Sequence, residues 1–368
     1  MLTNIPSPYQ VELFNAIARR GRIDLRVWYC AEQDTRRLWG PQRPVHAHSI
    51  GAGWYIKTGR DHWYLDPRPA LDLLRWKPEL AVFSVYSMPV VQLGMWCATL
   101  ARVPWVYWGE AVATGGEGLL RRTGRNLALL PVRRRAAGFF GIGQKGVENF
   151  RRLLGADRPV LKMPYFSNLA RFAPAVANRR PLHETTFLYV GSFIYRKGVD
   201  LLAQAFSELV ESVQNVRLVV AGDGDAGLLD RQLSPAAAAR VVRHGFVPWD
   251  RLPELYRQGD FLVMPSRYDG WGLVIPEAMA SGVPVLGSTE AGATLDLVRE
   301  DVTGWRVRPG DPQDLVAAMR RATSLSQDQV LAMRQRCVIR ARRFDAKAGA
   351  RVFERAVRLV LGERTLLS

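Results

Sequence analysis

Cysteine is scarce in this 368-residue chain, which holds only Cys30, Cys97 and Cys337. An odd number of widely spaced cysteines excludes a disulfide framework and a cysteine-rich metal cluster, and it favours a reducing compartment. The opening residues, MLTNIPSPYQVELF, lack the charged start and long apolar run of a secretory signal peptide, so we expect a cytoplasmic protein. The chain also lacks a repeat of fixed period and a low-complexity tract, which argues against solenoid and disordered classes.

Acidic residues are in short supply, with 34 Asp and Glu against 51 Lys and Arg and a net charge of +17. Residues 1–180 hold 27 basic and 12 acidic residues, whereas residues 181–368 hold 24 and 22. Such a field attracts nucleic acid, an anionic membrane or a phosphorylated substrate. No recognised nucleic-acid-binding motif accompanies it, so we expect no nucleic-acid partner. Because most of the excess is arginine, genome composition is an equally good explanation.

One long run without charge, LAVFSVYSMPVVQLGMWCATLA from Leu80 to Ala101, is long enough to span a bilayer. Polar residues and Pro89 interrupt the run. We therefore interpret it as a buried strand followed by a helix that has Pro89 in its first turn, rather than as a transmembrane segment.

The length of the chain suits two domains. Short apolar runs alternate with amphipathic helical segments in both halves, which predicts parallel sheets with helices on both faces. We predict an α/β protein with two Rossmann-like domains that face each other across a cleft. The predicted segments are an N-terminal domain over 1–170, a linker over 171–184, a C-terminal domain over 185–347, and a final helix over about 348–368 that packs back onto the first domain.

The stretch SRYDGWGLVIPEAMASGVPV, from Ser266 to Val285, carries two acids in an apolar setting. A loop containing Gly270 and Gly272 follows a strand-like run, and a proline then suits the first turn of a helix. Backbone amides where this loop enters the helix can bind an anion, with the positive helix end behind them. Asp269 and Glu277 can accept hydrogen bonds from hydroxyl groups on either side. This arrangement suits a nucleoside diphosphate sugar.

Two further strand ends are candidate phosphate sites. In YVGSFIYRKGVDLL, Arg196 and Lys197 stand beside a helix start, which favours a phosphate, although a solvated basic turn explains them equally well. In VVAGDGDAGLLD, the glycines permit close approach of a ligand. Asp223 and Asp225 there are better explained by a tight turn with a helix cap than by a metal site.

The run PSRYDGWGLVIPEAMASGVPV resembles the E-x7-E signature of glycosyltransferase family 4, whose members are retaining enzymes with the GT-B fold. The resemblance extends over nearly the whole chain. YVGSFIYRKGVDLLAQAF is similar to the family's phosphate loop and helix, and HGFVPWDRLPELYRQGDFLVMPS to the stretch that seats the base. NIPSPYQVELFNAIA and KPELAVFSVYS are similar to its acceptor half.

The resemblance implies a role for each matching residue. Glu277 would hold the ribose, Asp269 the hydroxyls of the donor sugar, and Lys197, helped by Arg196, the leaving pyrophosphate. The implied catalytic set is completed by Glu110 on the acceptor side. The other implied donor-binding residues are Gly191, Ser192, Gly222, Val247, Gly270, Trp271, Gly272 and Leu273.

Three positions depart from the family's pattern. Asp269 stands where Glu is usual, which shortens the side chain by one methylene. Ser192 stands where the family often has the arginine that accompanies the lysine, and Arg196 is then the candidate replacement. Trp108 stands in the stretch where many members place a histidine near the anomeric carbon. Glu110 is then the best candidate for orienting the attacking hydroxyl, and a buried cap or ion pair is its alternative role.

We therefore expect a glycosyltransferase that acts on a glycan or lipid-linked acceptor in cell-surface polysaccharide or glycolipid biosynthesis, with no cofactor and no metal. A sugar-nucleotide epimerase and a non-catalytic nucleotide-sugar-binding protein are the alternatives. An arginine- and leucine-rich segment, Gly116 to Gly138, suits docking on an anionic membrane at the inner face of the plasma membrane, or it is an ordinary solvated helix pair. Its arginines are Arg121, Arg122, Arg125, Arg133, Arg134 and Arg135.

Overall fold

The computed structural model describes residues 1–33, 42–51, 53–58, 61–112, 118–154, 157–173 and 184–362. Contacts between Cα atoms divide the chain into two compact units. The first unit contains Met1–Asn168 and the residues from Ala346 onward, and the second contains Leu169–Asp345.

The first unit is built on a seven-stranded sheet in the order β3-β2-β1-β6-β7-β8-β9, in which every pairing is parallel. A separate antiparallel hairpin, β4–β5, lies between β3 and the next helix. The strands are β1 (Leu2–Thr3), β2 (Arg26–Tyr29), β3 (Ala47–Ile50), β4 (Tyr55–Thr58), β5 (Asp61–Tyr64), β6 (Ala81–Phe83), β7 (Trp105–Gly109), β8 (Gly138–Gly141) and β9 (Val160–Lys162). The helices are α1 (Pro8–Arg20), α2 (Arg68–Trp76), α3 (Pro89–Leu100), α4 (Leu119–Ala128), α5 (Leu130–Arg135) and α6 (Gly143–Leu154).

The second unit is built on a six-stranded parallel sheet in the order β12-β11-β10-β13-β14-β15. Its strands are β10 (Thr185–Val190), β11 (Val216–Ala221), β12 (Val241–Arg243), β13 (Phe261–Met264), β14 (Val285–Ser288) and β15 (Gly304–Val307). Its helices are α7 (Val199–Ser212), α8 (Gly227–Asp230), α9 (Pro235–Ala238), α10 (Leu252–Tyr256), α11 (Val274–Ala280), α12 (Gly292–Leu297), α13 (Pro312–Thr323) and α14 (Gln327–Ala341). The last described helix, α15 (Ala346–Val360), belongs to the first unit.

Both sheets reverse their direction of winding beside the first strand. In the first unit the reversal lies between β1 and β6, and in the second it lies between β10 and β13. In open parallel sheets a ligand crevice forms at such a switch point, outside the carboxyl ends of the two strands. The topology therefore directs attention to the residues that follow β1, β6, β10 and β13.

The final helix is held to the first unit by packing and by charge. Helix α15 packs against α1, where the Arg20 guanidinium donates two hydrogen bonds, of 2.5 and 3.0 Å, to the buried carboxylate of Glu354. Phe353 on the same helix contacts the rings of Trp108 and Phe140. A buried carboxylate needs such a partner, because removing a charge from water is costly.

The start of the second unit lies earlier than the sequence analysis places it. Leu169 and Phe172 are buried: the Leu169 amide donates to Asp345, and the Phe172 ring contacts Tyr256. Residues 171–173 of the predicted linker are therefore part of the second unit, and residues 174–183 of it lie outside the described residues.

The charge-free run from Leu80 to Ala101 forms strand β6 and helix α3, and α3 begins at Pro89 as predicted. Among the helices of the described residues, none combines the length and the hydrophobicity of a transmembrane span. Strands β1, β3 and β15 and the β4–β5 hairpin were not predicted from the apolar runs of the sequence.

A buried ion pair in the second unit generates a prediction about stability. Arg334 on α14 is 7% exposed and donates to Asp260 Oδ1 at 2.5 Å, while Asp260 Oδ2 accepts from the Thr186 amide. We expect Arg334→Met to lower the free energy of unfolding by about 3 kcal/mol, because it leaves a carboxylate without its charged partner.

Urea denaturation followed by circular dichroism measures this change. The matched control is Arg336→Met, which alters an exposed arginine on the same helix and should change stability by less than about 0.5 kcal/mol. Equal effects of the two variants would contradict the assignment.

Candidate functional site

The loops that follow β10, β11 and β13 approach one another closely in the second unit. Gly222 follows β11 with a φ of 152°, and an added Cβ there would overlap the carbonyl oxygen of Gly191. Gly198 has a φ of 71°, and an added Cβ would overlap the carbonyl of Pro265. The Gly222 amide also donates to the Gly245 carbonyl, in the loop after β12. Glycine is needed at these places because neighbouring backbones occupy the space of a side chain.

An ion pair joins two of the predicted site residues. Lys197 Nζ donates to Asp269 Oδ2, while Asp269 Oδ1 accepts from the Trp271 amide at 3.3 Å. Both side chains are largely buried. Lys197, which is expected to bind phosphate, is therefore in direct contact with Asp269, which is expected to bind sugar hydroxyls.

Arg196 has a bracing role in the structure. Its guanidinium donates to the Tyr268 carbonyl at 2.8 Å, and its own carbonyl accepts from the Arg267 amide. Arg267 in turn forms a two-pronged ion pair with Asp200. These contacts hold the loop after β10 against the loop after β13.

Glu277 lies in the first turn of the seven-residue helix α11 and is 6% exposed. The Tyr256 hydroxyl donates to its Oε2 at 3.0 Å, and Arg171 Nη2 lies 3.8 Å from its Oε1. The Arg171 guanidinium lies over the ring of Trp249, 3.2 Å from the ring centroid. Burial, together with the neighbouring Glu277 charge, raises the pKa of Tyr256 well above 10, so Tyr256 remains a hydrogen-bond donor.

The other predicted donor residues lie in the segments that follow β10, β11, β12 and β13. Gly272 has a φ of 91°, and an added Cβ would meet the side chain of Met264 at 2.6 Å. The Trp271 ring is buried against Phe344, so only the backbone of Trp271 is available to a ligand. The remaining members are Gly191, Gly270, Leu273 and Val247, which are half-buried, and Ser192, which is exposed.

The first unit contains a cavity of about 730 Å³ at the carboxyl ends of its strands. Its lining residues include Asn4 after β1, Ser84 to Met88 after β6, and Glu110 after β7. The cavity therefore lies at the switch point of the first sheet. The Tyr165 hydroxyl donates to Glu110 Oε1 at 3.1 Å, and burial raises the pKa of Tyr165 well above its ordinary value.

Trp108 does not take the place of a catalytic histidine. Its ring is 2% exposed and contacts Phe14 and Phe353, while its Nε1 donates to the Met163 carbonyl. The side chain is a core residue packed between aromatic rings, although Trp108 also contributes to the lining of the cavity. Glu110, two residues later, is the acid that the loop presents to the cavity.

Comparison with known proteins identifies part of this architecture. Residues 184–324 match the family described as Glycosyl transferases group 1. This segment, residues 184–324, is similar to that family and is called the group 1 domain below. The fold of the chain, with its two doubly wound parallel sheets, is GT-B, as predicted.

Several relatives resemble the group 1 domain and its surroundings. The uncharacterized glycosyltransferase MJ1607 of Methanocaldococcus jannaschii is 36% identical over 143 residues, which are 38% of this chain and 36% of that protein. The D-inositol 3-phosphate glycosyltransferase of Geodermatophilus obscurus is 35% identical over 223 residues, which are 55% of this chain and 46% of that protein. The matched segment thus spans less than half the length of either relative.

A solved structure gives the same result for the whole fold. The Anabaena protein Alr3699/HepE, crystallised with UDP, has a TM-score of 0.74 at 17% identity and covers 97% of this chain and 98% of its own. A likeness at this level of identity establishes the fold and not the activity.

Within the second unit, sequence reasoning missed Tyr256 and Arg171 as partners of Glu277. Tyr256 lies in a stretch that resembles the base-binding segment, but its hydroxyl carries no separate signal in the sequence. Arg171 falls in the stretch predicted as a linker, rich in Ala, Pro and Arg. Only the folded chain brings either of them to Glu277.

The partner of Glu277 generates a prediction about stability and pH. We expect Tyr256→Phe to lower the free energy of unfolding of the group 1 domain by about 2 kcal/mol at pH 7, because a buried carboxylate loses a hydrogen bond. An unfolded tyrosine ionises near pH 10, whereas folded Tyr256 stays protonated, so the unfolded wild type releases a proton that the folded protein keeps. Wild-type stability should therefore fall more steeply above pH 10 than that of the variant.

Chemical denaturation at pH 7 and between pH 9 and 11 tests both statements. Tyr195→Phe is the matched control, since Tyr195 is 64% exposed. A Tyr256→Phe protein as stable as this control at pH 7 would refute the hydrogen bond.

Proposed function

We propose that this protein is a retaining glycosyltransferase that moves a hexose from a nucleoside diphosphate sugar to a hydroxyl of a glycan or lipid-linked acceptor, in cell-surface polysaccharide or glycolipid biosynthesis. The observation that carries the proposal is the pairing of Lys197 with Asp269 beside the switch point of the group 1 domain. At this position the Lys197 ammonium group can bind a diphosphate, and the Asp269 carboxylate can accept hydrogen bonds from sugar hydroxyls. A GT-B neighbour crystallised with UDP supports the choice of a nucleotide donor.

We assign the donor to the second unit. Glu277 accepts hydrogen bonds from the ribose hydroxyls, while Tyr256 and Arg171 hold its carboxylate in place. Asp269 accepts hydrogen bonds from the hexose hydroxyls. When it does so, its ion pair with Lys197 is broken, and the Lys197 ammonium group then binds the diphosphate. The backbone of Gly270 to Leu273 and the loops at Gly191, Ser192 and Gly222 complete the seat, and Val247 contacts the base.

The proposed reaction breaks the bond between the anomeric carbon and the diphosphate oxygen. Negative charge grows on the leaving diphosphate, and Lys197 stabilises it as a preorganised charge. The acceptor hydroxyl oxygen attacks from the same face of the sugar, and its proton passes to the departing phosphate oxygen, which retains the anomeric configuration. Glu110, held by Tyr165, orients the acceptor hydroxyl. The scheme uses no cofactor and no metal ion.

Donor binding by the second unit gives the next prediction. Among UDP, GDP, ADP and dTDP sugars, at least one should raise the melting temperature, because a ligand at 100 times its Kd stabilises the folded state by about 2.7 kcal/mol. Glu277→Ala and Lys197→Met should each abolish the shift. The control is Glu211→Ala, an exposed position on α7 that should keep the full shift.

The outcomes separate the alternatives. Transfer to an acceptor supports the proposal, whereas conversion of the sugar nucleotide without an acceptor indicates an epimerase. Binding without either reaction indicates a non-catalytic sugar-nucleotide-binding protein. A Glu277→Ala variant that keeps the shift refutes the ribose assignment.

We also propose that the first unit docks on an anionic membrane at the inner face of the plasma membrane. Leu119 and Leu127 on α4 are 78% and 70% exposed. Leu100, the last residue of α3, is 80% exposed. Arg122, Arg134 and Arg135 are exposed on α4 and α5. Gln92 of α3 donates to the Ala128 carbonyl at the end of α4, which ties the two helices together. Exposed leucines beside arginines suit the headgroup region of a bilayer.

The other arginines of this segment contribute differently. Arg133 donates to the Leu153 carbonyl, Arg125 is half-buried, and the side chain of Arg121 lies outside the described residues. The testable surface therefore consists of Arg122, Arg134, Arg135 and the exposed leucines.

Co-sedimentation with vesicles measures the docking. Binding to vesicles that contain phosphatidylglycerol should exceed binding to pure phosphatidylcholine, and it should weaken with salt. Arg134→Ala with Arg135→Ala should weaken binding by about 30-fold, at about 1 kcal/mol for each arginine. The control pair is Arg351→Ala with Arg355→Ala, which removes the same charge from exposed positions on α15. Equal binding to both vesicle types would refute the docking.

A further inference from the structure

The described wall of the cavity in the first unit lacks basic residues, although this part of the chain is strongly basic. Among the described lining residues, Glu110 is the only carboxylate and His62 the only histidine, and there is no lysine or arginine. Residues 1–180 nevertheless hold 27 lysines and arginines. The positive charge of this unit is therefore carried elsewhere than on the described cavity wall.

The described part of the wall, which lacks cations, is poorly suited to a phosphorylated ligand. Proteins hold phosphate with arginine, lysine or clustered backbone amides. A phosphate placed here would also lie near the Glu110 carboxylate, and like charges repel.

The rest of the wall combines aromatic rings with uncharged polar groups. The aromatic members include Tyr9, Trp63, Tyr86 and Tyr165, and Tyr9 and Tyr165 contact each other with ring centroids 4.5 Å apart. A sugar ring presents C–H groups on its faces and hydroxyls at its rim. Aromatic side chains pack against the C–H groups, and uncharged polar side chains form hydrogen bonds with the hydroxyls. The uncharged polar members are Thr3, Asn4, Ser7, Gln10, Ser84 and Ser87.

Asn4 provides an independent sign of a ligand. Its Oδ1 is buried, and it accepts no hydrogen bond from the described residues. A buried acceptor without a donor is costly, so a native protein normally satisfies it with a ligand or a water molecule. A hydroxyl group of a ligand in the cavity supplies the missing donor.

The backbone of the cavity is also strained at one point. Val85, between Ser84 and Tyr86 after β6, has a φ of 59°, which is rare for a β-branched residue. Such outliers cluster at binding and catalytic sites, where the surrounding structure holds them. Gln92 helps to hold this one by donating to the Tyr86 carbonyl.

We infer that the acceptor bound in this cavity is an uncharged saccharide, and that a sugar phosphate is excluded from it. The ring lies against the aromatic side chains, Asn4 Oδ1 accepts from one hydroxyl, and Glu110 accepts from the hydroxyl that attacks. The inference rests on the proposed function for the role of the ligand as acceptor. It names the chemical class that the cavity selects.

Matched pairs of probes test the inference by saturation-transfer NMR without donor. The pairs are glucose with glucose 6-phosphate, mannose with mannose 6-phosphate, and myo-inositol with myo-inositol 1-phosphate. In at least one pair the uncharged member should bind about tenfold more tightly than its phosphate. Asn4→Ala should weaken that binding, while Asn215→Ala, an exposed position in the second unit, should leave it unchanged.

A charge insertion gives a second readout. Ser87→Arg places a cation on the cavity wall, so it should narrow or reverse the preference within each pair. Tighter binding of the phosphorylated member by the wild type would overturn the inference, as would saccharide binding that Asn4→Ala and Ser87→Arg leave unchanged. Binding of none of the uncharged probes would overturn it also.

The test is separate from that of the proposed function. Saccharide binding without donor reports on the cavity alone, whereas the melting-temperature shift reports on the second unit. If the uncharged saccharide binds but no nucleotide sugar does, the proposed function fails and the assignment of the cavity to an uncharged saccharide stands.

Discussion

The reversal of winding in each parallel sheet is the constraint on which the candidate sites depend. Because β1 has β2 on one side and β6 on the other, the loops after β1 and β6 diverge and leave a crevice. The same holds for β10 and β13. Residues separated by about eighty positions in the sequence are thereby brought to one edge of the sheet. Asn4 and Ser84 meet at one crevice in this way, and Lys197 and Asp269 meet at the other.

Buried charge then decides how the second site is arranged. Glu277 and Asp269 are carboxylates with little exposure, and each is held by groups from other elements. Tyr256 and Arg171 serve Glu277, and Lys197 serves Asp269. Because an uncompensated buried charge is costly, these partners hold the acids in place before any ligand binds. A ligand that carries hydroxyls and a diphosphate can replace these partners. Its hydroxyls then bind the carboxylates and its diphosphate binds Lys197, so no buried charge is left unpaired.

The two units divide the chemistry between them. The second unit presents cations and acids in contact with one another, whereas the described cavity wall of the first unit presents rings, hydroxyls, amides and one acid. The excess of arginine in the first unit lies largely on its surface, as on α4 and α5. We therefore propose a surface partner, rather than a substrate, for this excess charge. The residues of the described cavity wall support the uncharged ligand that we infer.

Sequence patterns predicted the alternation of strands and helices and the left-handed conformation of Gly272, because these follow from local periodicity and backbone geometry. The resemblance to glycosyltransferase family 4 predicted the GT-B fold. The patterns also singled out Asp269, Glu277 and Lys197, because acids and cations beside glycine turns are rare in apolar segments. The patterns did not predict that Lys197 contacts Asp269, that Arg171 reaches Glu277, or that the Trp108 ring belongs to the core. Those facts depend on how distant segments pack, and packing is a property of the three-dimensional arrangement of the sheets. The sequence by itself determined which charged and polar groups were available and at which strand ends they stood. The tertiary structure decided which of these groups came into contact, because a charge or a hydroxyl acts only on atoms within a few ångströms of it.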